Sequence, residues 1–168
     1  MTKKRVLALD VSPCSFGFAV FEGHNELLDW GVKRFRRSMN AVKMPLREKL
    51  AILLADWAPD VVVMKKPMTT AHGRVSTRIL AIGKARRIPI RLLSRKEVRA
   101  AFPDCPQNKH QIASAIATRF PELAARLPPK RKPWQSEDYR MSIFDAAALG
   151  MTFFSRNGEG THFPSVFR

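Results

Sequence analysis

The sequence predicts a single α/β domain built on a mixed β-sheet, and three observations predict it. The stretch Arg5-Val6-Leu7-Ala8-Leu9-Asp10 is apolar and β-rich, and Phe16-Gly17-Phe18-Ala19-Val20-Phe21 alternates large and small residues. With the turn Ser12-Pro13-Cys14-Ser15 between them, the two read as a hairpin. Further on, an amphipathic helix precedes the short apolar run Val61-Val62-Val63-Met64. The order strand, helix, buried strand is that of a parallel pair joined by a helical crossover. Finally, 168 residues with 45% hydrophobic content suffice for one core and not comfortably for two. The domain is expected to span residues 1–155, with 156–168 as a flexible tail.

A third strand is expected over 27–35, after the turn Gly23-His24-Asn25. Residues 36–43 lack a period and read as an exposed basic loop. Pro45 suits a first helical turn, and Leu46, Leu50, Leu53, Leu54 and Trp57 form one face of a helix over 45–57. Pro59-Asp60 ends it, and Lys65-Lys66-Pro67 follows the fourth strand. The next helix is expected over 75–87, with Ile79, Leu80, Ile82 and Ala85 inward and Arg78, Lys84, Arg86 and Arg87 outward. The last strand covers 88–93, and Pro89 sets it at an edge or a strand start. Ser94 and Glu97 make a capping box for a helix through Ala101. A Pro-rich break over 102–107 follows. Asn108 then caps a helix through about Phe120, with Ile112, Ala115, Ile116 and Phe120 apolar. Residues 127–134 read as a basic, Pro-rich loop. The final helix is expected from near Ser136 to about Phe154, with Asp145 beside its apolar stripe.

Thirty Lys and Arg against fourteen Asp and Glu give a net charge of +16. Such an excess points to a polyanion partner, since basic surface gains affinity by releasing counterions from phosphates. Charge alone does not choose DNA over RNA. No apolar run approaches the ~20 residues of a membrane span, and the basic N-terminus lacks the apolar stretch of a signal peptide. No membrane partner and a cytoplasmic location are therefore expected. Two cysteines make no disulfide framework, and the four histidines show no spacing for structural zinc.

A carboxylate at the end of a buried strand needs a charged or hydrogen-bonding partner. Asp10 either caps the turn through backbone amides or serves metal or phosphate chemistry at this sheet edge. Lys65 after the fourth strand and Asp145 in the last helix are the other positions that stand out. Taken with Leu7-Ala8-Leu9-Asp10, Phe16-Gly17-Phe18-Ala19, 59–64, 76–86, Lys109-His110-Gln111-Ile112 and Asp145-Ala146-Ala147-Ala148-Leu149, residues 5–155 resemble the RuvC-like Holliday junction resolvases of the ribonuclease H-like superfamily.

The resemblance implies a five-stranded mixed sheet flanked by helices. It implies acids that bind two Mg²⁺ (or Mn²⁺) ions at a phosphodiester, branched or junction DNA as substrate, and a homodimer. Asp10 and Asp145 match catalytic metal ligands. Lys65 stands where the family has Glu, and a protonated lysine cannot ligate Mg²⁺. Ser142 stands where the family usually has another ligand. Asp138 lies near the face of Asp145, but seven residues rise about 10.5 Å along a helix. It joins the site as a catalytic metal ligand only if the helix starts late or bends. Otherwise Glu137 and Asp138 are acids of a first helical turn.

Three functions follow. One is a junction endonuclease with a reduced site. The second is a structure-selective DNA-binding protein with weak or lost catalysis. The third is an actin-like or kinase-like phosphate binder, disfavoured by the missing second glycine-rich loop. Lys65 is expected either to pair with Asp10 and Asp145 as a built-in cation or to swing outward. Phosphate contacts are expected from Arg78, Lys84, Arg86, Arg87, Lys109, Lys130, Arg131 and Lys132. Trp134 either stacks on an exposed base or fills a core gap.

Overall fold

The computed structural model describes residues 2–35, 45–104 and 108–159. Strands β1 (Arg5–Val11), β2 (Ser15–Glu22), β3 (Leu27–Arg34), β4 (Val61–Lys65) and β5 (Ile90–Leu93) form one sheet in the order β3-β2-β1-β4-β5. The first three strands form an antiparallel meander, and β4 and β5 add in parallel beside β1. The helices are α1 (Pro45–Trp57), α2 (Thr70–Ala85), α3 (Arg95–Ala101), α4 (Lys109–Arg119) and α5 (Met141–Arg156), with a 3-10 segment at Pro121–Arg126. This is the predicted five-stranded mixed α/β architecture.

Strand alternation sorts the core into two layers. Leu7, Leu9, Phe16, Phe18, Val20, Val62 and Met64 face α1 and α2, where Leu46, Leu50, Leu53, Leu54, Val75 and Ile79 close the layer. Val6, Ala8, Ala19, Phe21, Val61 and Val63 face the other way, against α4 and α5. The same period decides which face the strand ends present. Asp10 follows Val6 and Ala8, and Lys65 follows Val61 and Val63, so both belong to the α5 side. Since β1 and β4 pair in parallel with Leu9 opposite Met64, Asp10 and Lys65 are next in register.

Several boundaries depart from the sequence reading. α2 begins at Thr70, five residues early, because Thr69 caps it and accepts from the His72 amide. It rests on the sheet through Val75, Ser76, Ile79 and Gly83, which turns Leu80 and Ala85 outward. β5 starts at Ile90 rather than Ile88 and lies at the sheet edge. Pro89 sits just before it with its carbonyl accepting from Val62 N. α5 starts at Met141 rather than near Ser136 and runs through Arg156, past the expected end. The loop over 36–43, the end of the break at 105–107 and the tail beyond 159 lie outside the described residues. Among the described residues no helix is long and apolar enough to cross a membrane.

Candidate active site

The C-terminal ends of β1 and β4 open into a cleft of about 80 Å³ lined by Asp10, Lys65, Arg95, Arg99, Lys109 and Asp145 among others. Each side chain arrives from a different element. β1 and β4 deliver Asp10 and Lys65 by alternation. α3, capped by the reciprocal Ser94–Glu97 box, presents Arg95 and Arg99 one turn apart. Asn108 caps α4 by accepting from the His110 amide, which sets Lys109 at the helix start. α5 brings Asp145 one turn after Ser142.

A glycine makes the approach of α5 possible. Gly17 pairs with Asp10 across the hairpin. A Cβ at Gly17 would land on the carbonyl oxygen and hydroxyl of Ser142. Without a side chain there, the first turn of α5 settles on β2, and the Ser142 hydroxyl donates to Asp10 Oδ2 at 2.9 Å.

The electrostatics pull in opposite directions. Burial, and then the nearby charge of Asp145, push the Asp10 carboxyl up to about 6. The Ser142 hydrogen bond and the cations of Lys65 and Lys109 oppose that rise. The Lys109 ammonium donates to Asp145 Oδ2 at 2.8 Å and to Glu137 Oε1 at 2.9 Å. Burial disfavours the charge on Lys109, yet the two carboxylates together raise its pKa above the ordinary lysine value. Four cations and two acids line the cleft, an environment suited to a phosphodiester.

Asp10, Lys65 and Asp145 thus meet in one place, but the ion pairing differs from expectation. Lys65 makes no ion pair with either acid among the described residues; it acts on Asp10 through space. The ammonium that pairs with Asp145 belongs to Lys109, expected only as a phosphate contact. Asp138 does not line the cleft. α5 does start late, at Met141, yet Arg140 holds the Asp138 carboxylate with both Nε (3.0 Å) and Nη2 (2.7 Å). Those hydrogen bonds also hold Asp138 below the usual carboxylate range. Glu137, not Asp138, is the acid that reaches toward the site, through Lys109.

The basic groups divide as well. Arg78, Lys84, Arg86 and Arg87 are exposed. α2 covers the sheet face away from α5, and its 16 residues carry Lys84 toward the end opposite the cleft, along a length of about 24 Å. Lys130, Arg131 and Lys132 are exposed in the segment before α5. Arg95 and Arg99 escaped the sequence reading, although their i, i+4 spacing places them on one helix face. Glu137 carried no such signal.

Asp10 and Asp145 are the carboxylates of this cleft that would hold a divalent cation. Mg²⁺ is commonly held by one or two carboxylates, with water and phosphate oxygens completing the shell. Asp10 and Asp145 supply two carboxylates close enough to repel. Among the described residues no group of three or more His, Cys, Asp or Glu side chains converges to hold a metal.

Solved structures share this fold. Thermus thermophilus RuvC in complex with Holliday junction substrate matches with a TM-score of 0.67 at 16% identity, over 92% of this chain and 97% of that one. The yeast mitochondrial Holliday junction resolvase Ydc2 matches at 0.59 and 13%, covering 94% and 82%. The fowlpox virus Holliday junction resolvase matches at 0.53 and 13%, covering 91% and 99%. No protein-family model and no curated protein sequence matches the chain. The chain therefore shares the fold of these resolvase structures, in line with the architecture expected from its motifs.

Proposed function

We propose that the protein binds branched DNA, four-way junctions foremost, and hydrolyses phosphodiesters slowly with a single divalent cation held by Asp10 and Asp145. The observation that carries this reading is the meeting of these two acids with Lys65 and Lys109 in one cleft. The fold shared with junction resolvases supports the choice of substrate. Bound Mg²⁺ or Mn²⁺ supplies Lewis-acid stabilisation of phosphate charge and activation of water.

The protein's own groups do the rest. Lys65, Arg95 and Arg99 seat the phosphate by charge and hydrogen bonding. Ser142 orients the Asp10 carboxylate. Lys109 holds Asp145 at the cleft through their ion pair, and in doing so neutralises part of the acid charge that a second cation would otherwise balance. Two copies of the chain would place two clefts on one four-way junction.

A second reading is favoured by the Lys109 ion pairs, which already give Asp145 and Glu137 a shared cationic partner. In it the site holds phosphate but does not cut. A labelled four-way junction and a matched duplex, incubated with Mg²⁺, separate the two. The nuclease reading expects junction nicking that Asp10→Asn abolishes. Tight, selective junction binding with no metal-dependent product establishes the second.

A further inference from the structure

The segment between the 3-10 turn and α5 carries two large side chains that the core does not use. Trp134 is 78% exposed and Tyr139 is 55% exposed. Trp134 therefore fills no core gap. Each ring has a cation over it: Lys132 Nζ lies 5.6 Å from the Trp134 ring centre, and the Arg34 guanidinium lies 5.2 Å from that of Tyr139. A local turn holds Trp134 out. Gln135 N donates to Lys132 O at 3.0 Å, and Lys132 N donates to Gln135 Oε1 at 3.1 Å.

The segment is also tethered to the cleft. Glu137, three residues after Trp134 and two before Tyr139, is ion-paired to Lys109, which is itself paired to Asp145. The aromatic groups therefore flank an anchor that ends at the candidate catalytic acid.

We infer that Trp134 and Tyr139 form a stacking platform for unpaired or unstacked nucleobases beside the cleft, with the neighbouring cations on the flanking phosphates. The chemistry is that of single-strand recognition. Every base offers a π-face, an aromatic ring accepts it without regard to sequence, and nearby lysine and arginine hold the backbone. Continuous duplex hides its base faces in the stack, whereas a crossover, flap or gap frees them. The inference deepens the junction reading by naming how branched DNA is told from plain duplex.

The test follows tryptophan fluorescence and affinity of the full chain with three probes: an oligo-dT single strand, a four-way junction and a blunt duplex. The single strand and the junction are expected to quench Trp134, and Trp134→Phe removes that quenching while retaining most of the affinity. Trp134→Ala is expected to weaken junction and single-strand binding at least about fivefold while duplex binding stays within about twofold. Because no charge is removed, the slope of log affinity against log salt should not move. Tyr139→Ala should act in the same direction. Absence of quenching by either unpaired probe, or an equal loss on duplex and junction, overturns the inference. Quenching by the single strand in a protein that shows no junction preference keeps the stacking platform and overturns the junction reading alone.

Discussion

Asp10 is expected to destabilise the metal-free protein, and Asp10→Asn to stabilise it. The native carboxyl has a pKa of about 6 against an ordinary value of 3.8, raised first by burial and then by Asp145. Between these values the native state holds a proton that the unfolded chain has released. Stability therefore falls as pH rises from about 4 to about 6, and stays lowered above that. A shift of about two units corresponds to about 3 kcal/mol at most. Asparagine mimics the protonated form, and its amide oxygen still accepts from Ser142. Urea denaturation in EDTA should find Asp10→Asn more stable than the parent by about 1–3 kcal/mol at pH 7.5, with the difference vanishing near pH 4. Added Mg²⁺ should narrow the gap by stabilising the parent alone. An Asp10→Asn protein less stable than the parent at pH 7.5, or a difference that ignores pH, would refute the reasoning.

Three further outcomes are expected. Lys65→Glu adds a third acid beside Asp10 and should strengthen Mg²⁺ binding by calorimetry and raise junction cleavage; unchanged Mg²⁺ affinity would remove Lys65 from the site's electrostatics. Gly17→Ala forces a methyl against the Ser142 backbone, so it should lower stability by about 1–3 kcal/mol in urea titration and weaken Mg²⁺ binding with it. Joint replacement of Lys130, Arg131 and Lys132 by alanine should reduce the salt slope of junction binding by about 2–3. The same treatment of Lys84, Arg86 and Arg87, at the far end of α2, should move it less.

What the sequence made legible was mostly local chemistry. The hairpin turn, the leucine face of α1, the Ser94–Glu97 box and the Asn108 cap are each written in a few adjacent residues. Strand alternation even assigns Asp10 and Lys65 to one face. The misplaced features depend on contacts between distant segments. α2 settles on its small residues Ser76 and Gly83, the latter against Ile90, so counting large apolar residues placed Leu80 inward. The acid-rich stretch before α5 looked like a first helical turn. Arg140 instead folds back on Asp138 and delays the helix, a choice between two local hydrogen-bonding schemes that composition does not rank. That Lys109 rather than Lys65 pairs with Asp145 depends on where α4 lies across α5.

The glycine seat under α5 has a partner farther along. Gly150 lies against the Phe21 ring, where a Cβ would collide. Helix and strand run in the same direction between these points, from Ser142 over Gly17 to Gly150 over Phe21. Four strand steps cover about 13 Å and eight helical steps about 12 Å. The two elements are thus commensurate over this span, like a key with two teeth cut to matching notches. A slip of one helical turn, about 5.4 Å, unseats both teeth together. The distance between Asp10 and Asp145 is therefore gauged by β2, a strand that contributes no side chain to the cleft lining. A residue inserted between Ser142 and Gly150 changes that gauge, whereas one inserted between Arg126 and Gln135 lengthens only the approach to it.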